Sequence, residues 1–338
     1  NASITCEQPE PPKSVNCNKR ESRPTLCELR LYADEVIVEK GATVTGNSVN
    51  ITAKTSILIK SGGSVDVTAR GVPPFVILDG NNCKPPGQPN HNDELAAYGA
   101  SHGGSGGMGG GKGVLEKNPN PQSYTKTMDN AEGTIIGNAS YLGFDATDFE
   151  WGYGGVCLNA HTCGGVGGGR AVLYIPGSKG EIQIDGGVFA RGQDAPALGD
   201  EDFDAKCCGA GSGGSILIVS GNIKGEGSIS AAGGNGLLLN KPKPMSEALA
   251  TADPTVAFVR GSGGGGRVVL RTHQAAASTS SGIAVDAYGG YVQNAPDVTE
   301  TWVPAAQGAP GTILKDVVDA SAELDVWNDK TTGAEYST

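Results

Sequence analysis

Aromatic residues and basic charge are scarce in this chain of 338 residues, and long apolar runs are missing. Phe, Trp and Tyr make up 5% of the sequence, so a core has to be built from many small aliphatic side chains. Acidic residues outnumber basic ones by 36 to 25, which argues against nucleic-acid binding because phosphate contacts need clustered Lys and Arg. No apolar run approaches the ~20 residues of a membrane-spanning helix, and no signal peptide is visible. We therefore expect a mature, soluble segment without membrane insertion.

Glycine is the residue in excess, with 54 of the 338 positions. Each glycine inside a regular strand or helix costs roughly 0.5–1 kcal/mol relative to alanine, so a folded chain needs a use for so many. Two such uses are turns with positive φ and places where main chains approach closely. The glycine runs are interrupted by β-branched strands, which argues against a disordered linker.

Cysteine occurs eight times, and an even number predicts disulfides formed in an oxidising compartment. The cysteines fall into two groups of four along the chain, and pairing within each group is our expectation, with the connectivity open. Zinc is the weaker alternative, because paired CxxC knuckles are missing and adjacent cysteines cannot readily direct both sulfurs at one tetrahedral ion. The predicted half-cystines are Cys6, Cys17, Cys27, Cys83, Cys157, Cys163, Cys207 and Cys208.

Three N-glycosylation sequons begin at Asn1, Asn50 and Asn138. Glycans on such acceptor sites belong to the surface of secreted proteins. Together with the cysteines, the sequons predict a secreted or cell-surface glycoprotein.

Short strands with alternating hydrophobicity are predicted over residues 29–32, 35–38, 49–52, 57–60 and 65–68. Later in the chain, three segments repeat one plan: a glycine cluster, an apolar strand, a polar turn and a second strand. Their first strands correspond around Val172, Ile216 and Val268, and their second strands cover 181–185, 228–231 and 283–286. Self-similarity at this spacing predicts stacked units of a parallel β-helix (a solenoid), with a β-sandwich as the alternative.

The acidic and glycine-rich motifs invite binding-site interpretations that we weigh against simpler ones. The segments 106–113 and 261–266 resemble phosphate-binding loops, but neither is followed by the helix that such loops need. Alternating carboxylates in the loop 200–204 can direct several oxygens at one Ca²⁺, although a solvated acidic loop is the simpler interpretation. The candidate ligands of a structural calcium are Asp200, Asp202 and Asp204.

Enzyme and carbohydrate-binding functions are the alternatives to a structural role. A pectinase-like hydrolase needs carboxylates that converge on one face, and the strand-end acids Asp66, Asp185 and Asp286 are candidates because they occupy nearly equivalent places in successive units. His102 follows Ser101 in a glycine-bounded turn, where a local hydrogen bond to the backbone is a simpler expectation than catalysis. A carbohydrate-binding module would use exposed aromatic residues as stacking platforms, and the candidates are Trp151, Tyr153, Trp302 and Trp327.

Three glycine-rich segments recur in order at 99–104, 211–216 and 263–268, together with Ala-Ala/Gly-Gly turns such as 231–234. Over roughly residues 29–318 the chain resembles the glycine-rich β-helical ectodomains of large secreted or cell-surface proteins in plants, oomycetes, other stramenopiles and some bacteria. The resemblance implies a right-handed parallel β-helix with a surface role, and it brings no catalytic residues.

These observations predict a cysteine-rich cap over residues 1–28, a glycine-rich β-helix with loop insertions over 29–318, and a C-terminal strand segment over 319–338. The expected function is an extracellular structural or adhesive scaffold without catalytic residues, as the repeating subunit of a glycosylated filament or sheath. The C-terminal strands at 312–314 and 323–327 have no cysteine-rich cap, so we expect self-association there or continuation into a longer protein.

Overall fold

The structure is a computed structural model in which only part of the chain is described. The described residues are 3–5, 27–71, 75–76, 99–100, 102, 106–107, 110–111, 151–152, 154–157, 165–195, 209–239, 258–273, 282–294, 307–317 and 323–325. Within these ranges the chain is all-β and contains no helix. Accordingly, the described part holds no helix of the length and hydropathy needed to span a membrane.

The described strands are short except for two near the N-terminus. In chain order they are β1 (Ser3–Thr5), β2 (Glu28–Val38), β3 (Thr43–Thr45), β4 (Ser48–Ile59), β5 (Ser64–Asp66), β6 (Phe75–Val76), β7 (Gly110–Gly111), β8 (Val156–Cys157), β9 (Arg170–Tyr174), β10 (Glu181–Ile184), β11 (Gly187–Phe189), β12 (Ser215–Ser220), β13 (Asn222–Lys224), β14 (Ser228–Ser230), β15 (Gly236–Leu239), β16 (Phe258–Arg260), β17 (Arg267–Thr272), β18 (Ala284–Asp286), β19 (Val292–Asn294), β20 (Thr312–Val317) and β21 (Glu323–Asp325).

The largest sheet is parallel through β2, β4, β9, β12, β17 and β20, and closes with the antiparallel strand β21. Four of the short strands predicted near the N-terminus are joined into two long ones, β2 and β4, which pair along their whole length with one irregularity between Ala33 and Glu35. In the next unit along the chain, two shorter strands, β9 and β10, pair with β4 in place of one long strand. Pro176 and Gly177 interrupt the chain between them, and Gly177 has a φ of +87°.

A smaller sheet is parallel throughout, in the order β1, β3, β5, β11, β14, β18. Its strands alternate along the chain with those of the large sheet, so each unit adds a strand to both. The predicted all-β class with parallel sheets is therefore confirmed. Two minor sheets join β19, β15, β16 and β7, and β6 with β8.

The core lies between the two sheets and consists of Val, Ile, Leu and Ala side chains at alternating strand positions. This alternation follows from the two-residue period of a strand, which sends every second side chain to the same face. Each buried Val, Ile or Leu side chain contributes roughly 1.5–3 kcal/mol. Fully buried members include Ile51, Ile57, Ile59, Leu173, Ile182, Ile184, Val188, Ile216, Ile218, Ile229 and Val268.

The pairing register corrects two details of the predicted repeat. Ile216 lies opposite Val268, as expected, but opposite Ala171 instead of Val172. Val172 therefore points to the other face of the sheet, since a shift of one residue exchanges the two faces. The strand that belongs with Ile229 and Val285 in the small sheet is β11, with Val188, and not the predicted 181–185. The strand predicted at 181–185 corresponds instead to β10, which continues the large sheet beside β4.

A third region, which we call the glycine bundle, consists of residues 165–169, 190–193, 209–214, 231–234, 261–266, 287–290 and 308–311. Its segments bond to one another through the main chain without forming strands. One run of N–H···O=C bonds of 2.8–3.0 Å passes from Gly308 through Gly290, Gly263, Gly234 and Gly211 to Gln193. The glycines here serve close approach: in the described chain positive φ is confined to Ala69, Gly41, Gly62, Gly177, Gly225 and Gly282, which lie outside the bundle.

Candidate functional site

The outer face of the large sheet is the surface on which polar and aromatic side chains meet in register. Its residues alternate with those of the core, so they point away from it. Three neighbouring rows cross the strands in parallel. The first holds Glu28, Ser48, Arg170, Ser215, Arg267 and Thr312; the second holds Arg30, Asn50, Val172, Leu217, Val269 and Leu314; the third holds Tyr32, Thr52, Tyr174, Val219 and Arg271.

The outer face is divided into an open part and a covered part. Val172, Leu217, Val219, Val269 and Leu314 form a buried apolar cluster although they point away from the main core. The face around these five residues is therefore an internal surface, whereas the end that carries Tyr32 of β2 and Tyr174 of β9 is exposed.

His102 lies buried against the covered part of this face. Its Nε2 atom is 2.8 Å from Ser215 Oγ, and its side chain is 1% exposed. Burial, followed by the positive charge of Arg267 on the neighbouring strand, lowers the pKa of His102 to about 3. The imidazole is therefore neutral near pH 7. This hydrogen bond joins His102 to a side chain 113 residues along the sequence, while the expected local turn contact stays a prediction.

A serine hydroxyl beside a neutral imidazole is half of a nucleophilic arrangement, so this pair is the nearest approach to catalytic chemistry in the described chain. Ser215 is 0% exposed and His102 is 1% exposed, which leaves no access for a substrate. The pair instead connects the segment around 102 to the first residue of β12. Sequence reasoning missed this role because nothing local indicates a partner so distant in sequence.

Of the carboxylates that were candidates for the alternative enzyme function, Asp66 and Asp286 do not converge. Asp66 and Asp286 stand in the same row of the small sheet, with Phe189 and Ser230 between them. Three strand spacings amount to about 14 Å, beyond the roughly 5–9.5 Å between the carboxyl groups of glycosidases. Asp185 follows β10 outside this row, so its predicted equivalence with the other two is wrong.

Each of these acids has a local hydrogen-bonding role. Asp286 Oδ1 accepts from Ser230 Oγ at 2.7 Å, and Ser230 Oγ accepts from Arg191 Nε at 2.9 Å. The Arg191 guanidinium also lies 4.5 Å from the ring centre of Phe189. The row is thus occupied by contacts between neighbouring strands.

Among the predicted stacking platforms, the structure describes Trp151. Its indole Nε1–H donates to the carbonyl oxygen of Asn47 at 3.0 Å, and its side chain is half-buried. Tyr153, Trp302 and Trp327 lie outside the described residues. Among the residues that the structure describes, the exposed aromatic side chains are Tyr32, Tyr174 and Tyr291. For Tyr32 and Tyr174, the signal was an aromatic residue at the outward position of an alternating strand.

The remaining predicted sites are described only in part. Cys27 is disulfide-bonded and Cys157 lies in β8; Cys6, Cys17, Cys83, Cys163, Cys207 and Cys208 lie outside the described residues, so the pairing stays a prediction. Asn50 lies in β4, while Asn1 and Asn138 are outside. The predicted calcium ligands Asp200, Asp202 and Asp204 are outside as well. Where the chain is described, no three His, Cys, Asp or Glu residues gather in a metal-binding group.

The ends of the sheets differ from one another. Among the described strands, β2 pairs only with β4, which leaves one side of an eleven-residue strand without a described neighbour. At the opposite end, β21 pairs antiparallel with β20 over Ile313 to Lys315. These are the two C-terminal strands expected to lack a cysteine-rich cap, and β21 is the last described strand at this end.

No protein-family model, curated protein or solved structure gives a significant match to this chain.

Proposed function

We propose that the chain is a right-handed parallel β-helix that serves as an extracellular structural module. The alternation of strands between two parallel sheets supports the β-helical path, because each unit returns to the same place one strand further on. Right-handedness follows from the strong preference of parallel crossover connections for that hand. The antiparallel pairing of a β-sandwich is confined, in the described part, to β21 and the minor sheet of β7, β15 and β16.

The observation that carries the structural role is the edge strand β2. On the side away from β4, eleven residues of extended chain at ~3.3 Å each present N–H and C=O groups that have no partner among the described residues, over about 36 Å. Charged side chains at Arg30, Asp34 and Glu35 restrict this edge to a complementary partner, since bare edges otherwise aggregate without selection. We therefore expect β2 to pair with another copy of this chain or with a neighbouring domain.

The glycine bundle supports the same function. Its segments are joined to their neighbours by main-chain hydrogen bonds, and we expect a stack of segments joined in this way to resist bending. Disulfides and glycans, as predicted from the sequence, suit the same extracellular role.

Sedimentation velocity and negative-stain microscopy of the secreted chain test the proposal. We expect rods that lengthen as the concentration rises over a hundredfold range. Ile37→Lys, on the outward face of β2, should shorten them, whereas the control Tyr291→Lys, exposed away from this edge, should not. Monomers of the wild-type chain at every concentration would contradict self-assembly. A polysaccharide-cleaving enzyme and a carbohydrate-binding module remain the alternatives.

A further inference from the structure

Two exposed tyrosines flank one threonine on the open end of the outer face. Tyr32 of β2, Thr52 of β4 and Tyr174 of β9 share a row. The exposed fraction is 70% for Tyr32 and 40% for Tyr174. Neighbouring positions of a row are about 4.8 Å apart, so the two tyrosine positions are about 9.6 Å apart. The register thus places Thr52 between two exposed tyrosines, and we call this arrangement the tyrosine notch.

Thr52 is also the third residue of the sequon that begins at Asn50. Both side chains are half-buried on the same outer face, and Thr52 Oγ1 donates a long hydrogen bond of 3.5 Å to Asn50 Oδ1. Asn50 therefore opens onto the notch from one position earlier on the same strand. The diagonal distance from Asn50 to each tyrosine position is roughly 7–8 Å, within reach of a group attached to its amide.

The surroundings of Asn50 are polar on one side. Arg30 lies beside it on β2, and its guanidinium pairs with Glu28 at 2.5 Å. Glu28, and more weakly Tyr32, raise the pKa of Arg30. A sugar makes two kinds of contact with a protein: its polar edge forms hydrogen bonds, and its C–H faces pack against aromatic rings. Partners for both kinds lie beside Asn50.

We propose that Asn50 carries an N-linked glycan whose first sugar packs in the tyrosine notch between Tyr32 and Tyr174. The attachment forms a bond from Asn50 Nδ2 to C1 of the sugar; the amide loses one proton, and a lipid diphosphate leaves from a lipid-linked oligosaccharide donor. This inference rests on the proposed extracellular location, because the donor and its transferase belong to the secretory route.

The dimensions of the notch admit one sugar ring. Carbon–carbon contacts are optimal at about 3.5–4.0 Å, so two such contacts use most of the 9.6 Å and leave the thickness of one puckered ring. The occupant is thus part of the protein itself, and the glycan covers tyrosines that would otherwise be exposed at the end of the sheet.

The peptide covering residues 41–54 allows a direct test, because tryptic cleavage after Lys40 and Lys54 isolates Asn50 as its one sequon. Mass spectrometry of the chain secreted from a eukaryotic host should show this peptide carrying an N-glycan. Asn50→Gln and Thr52→Val should abolish the modification, while the matched control Thr52→Ser should retain it. An unmodified Asn50 beside modified Asn1 or Asn138 would overturn the inference and leave the extracellular role intact.

Packing in the notch is tested by the rate at which an endoglycosidase removes the glycan from the native protein. We expect removal from Asn50 to be at least tenfold slower than from the denatured chain, and the Tyr32→Ser/Tyr174→Ser variant to lose this protection. Tyr291→Ser, the control at a distant exposed tyrosine, should keep it. Equal rates in the native chain and the double variant would overturn the packing. The packing would also be overturned if the wild-type chain carried no glycan and the Asn50→Gln variant bound a free oligosaccharide. The notch would then be a carbohydrate-binding site instead.

Discussion

The aliphatic core and the glycine bundle lie side by side in each unit, yet they hold the chain together by different means. In the core, side chains such as Ile216 and Ile182 fill the space between two sheets. In the bundle, main chains are in direct contact, and a Cβ atom placed on Gly263 would overlap the carbonyl oxygen of Gly211. One region is stabilised by removing apolar surface from water, and the other by hydrogen bonds between segments with no side chain between them.

This difference predicts different tolerance to substitution. A core accepts another apolar side chain of similar volume at a modest cost, because neighbouring rotamers adjust. The stacked glycines of the bundle have no side chains to adjust, and they repeat the same contact: Gly211 faces Val166, Gly263 faces Gly211, and Gly308 faces Gly263. An added methyl group must therefore move a whole segment and break its hydrogen bonds.

The largest effect is expected from Gly263→Ala. The new Cβ atom would collide with backbone on its neighbour, and we expect a loss of about 4 kcal/mol or more in the free energy of unfolding, or failure to fold. Gly177→Ala is the matched control, because its φ of +87° strains alanine but nothing lies within 4 Å of the added atom; its cost should be about 1–2 kcal/mol. Urea denaturation measures both. Equal costs would show that backbone contact does not distinguish the bundle.

The next effect concerns His102, which joins the two regions because its neighbour Ala100 bonds to Ala210 and Gly264 in the bundle while His102 itself contacts Ser215 of the sheet. Its pKa falls from 6.5 in the unfolded chain to about 3 in the folded one. Between these values the unfolded chain binds the extra proton, so stability should fall by up to about 1.4 kcal/mol per pH unit on acidification from pH 6.5 towards 3.

Thermal or urea unfolding across pH 7 to 4 measures this slope. His102→Gln keeps a polar group but cannot take up a proton, so it should lower stability at pH 7 while flattening the slope. A variant with the wild-type slope would show that other groups cause the acid sensitivity.

A smaller and more usual loss is expected in the core. Ile216→Ala should cost about 3 kcal/mol, because it removes buried methyl groups and leaves a cavity. Ile216→Val is the milder control, at about 1 kcal/mol. A graded response here beside an abrupt one at Gly263 would confirm the contrast between the regions; a cost for Ile216→Ala above that of Gly263→Ala would reverse it.

The parts of the fold that could be predicted from the sequence are those with a local signal. Alternation at 49–52 and 57–60 identified β4, although not that the two stretches are one strand, because Thr55 and Lys54 between them carry no apolar pattern. The sequence also indicated the repeat, but it aligned Val172 with Ile216, whereas Ala171 is the residue opposite Ile216 in the structure. The pattern does not distinguish these neighbours, because valine and alanine both suit a buried strand.

Contacts between distant segments could not be predicted in this way. His102 and Ser215 are 113 residues apart, and the glycine bundle depends on which segments stack, which glycine runs do not encode individually. The candidate surface at Tyr32 and Tyr174 was missed for a related reason. Each tyrosine is unremarkable alone, and the register with Thr52 is what brings them together.

The smallest effect is expected at the surface ion pair between Lys60 and Glu39, which lies outside both regions. Its charged atoms are 2.8 Å apart, with side chains 43% and 61% exposed, and such pairs contribute about 0–1 kcal/mol because water and salt screen them. The Lys60 N–H donates to the carbonyl oxygen of Val38, and the Lys60 carbonyl oxygen accepts from the N–H of Gly63. Because these bonds involve only the main chain, Lys60→Met removes the charge alone. A double-mutant cycle with Glu39→Gln at low and high salt should give a coupling below about 1 kcal/mol that shrinks with salt. A salt-independent coupling of several kcal/mol would contradict this expectation. It would show that surface ion pairs contribute to stability in addition to the core and the bundle.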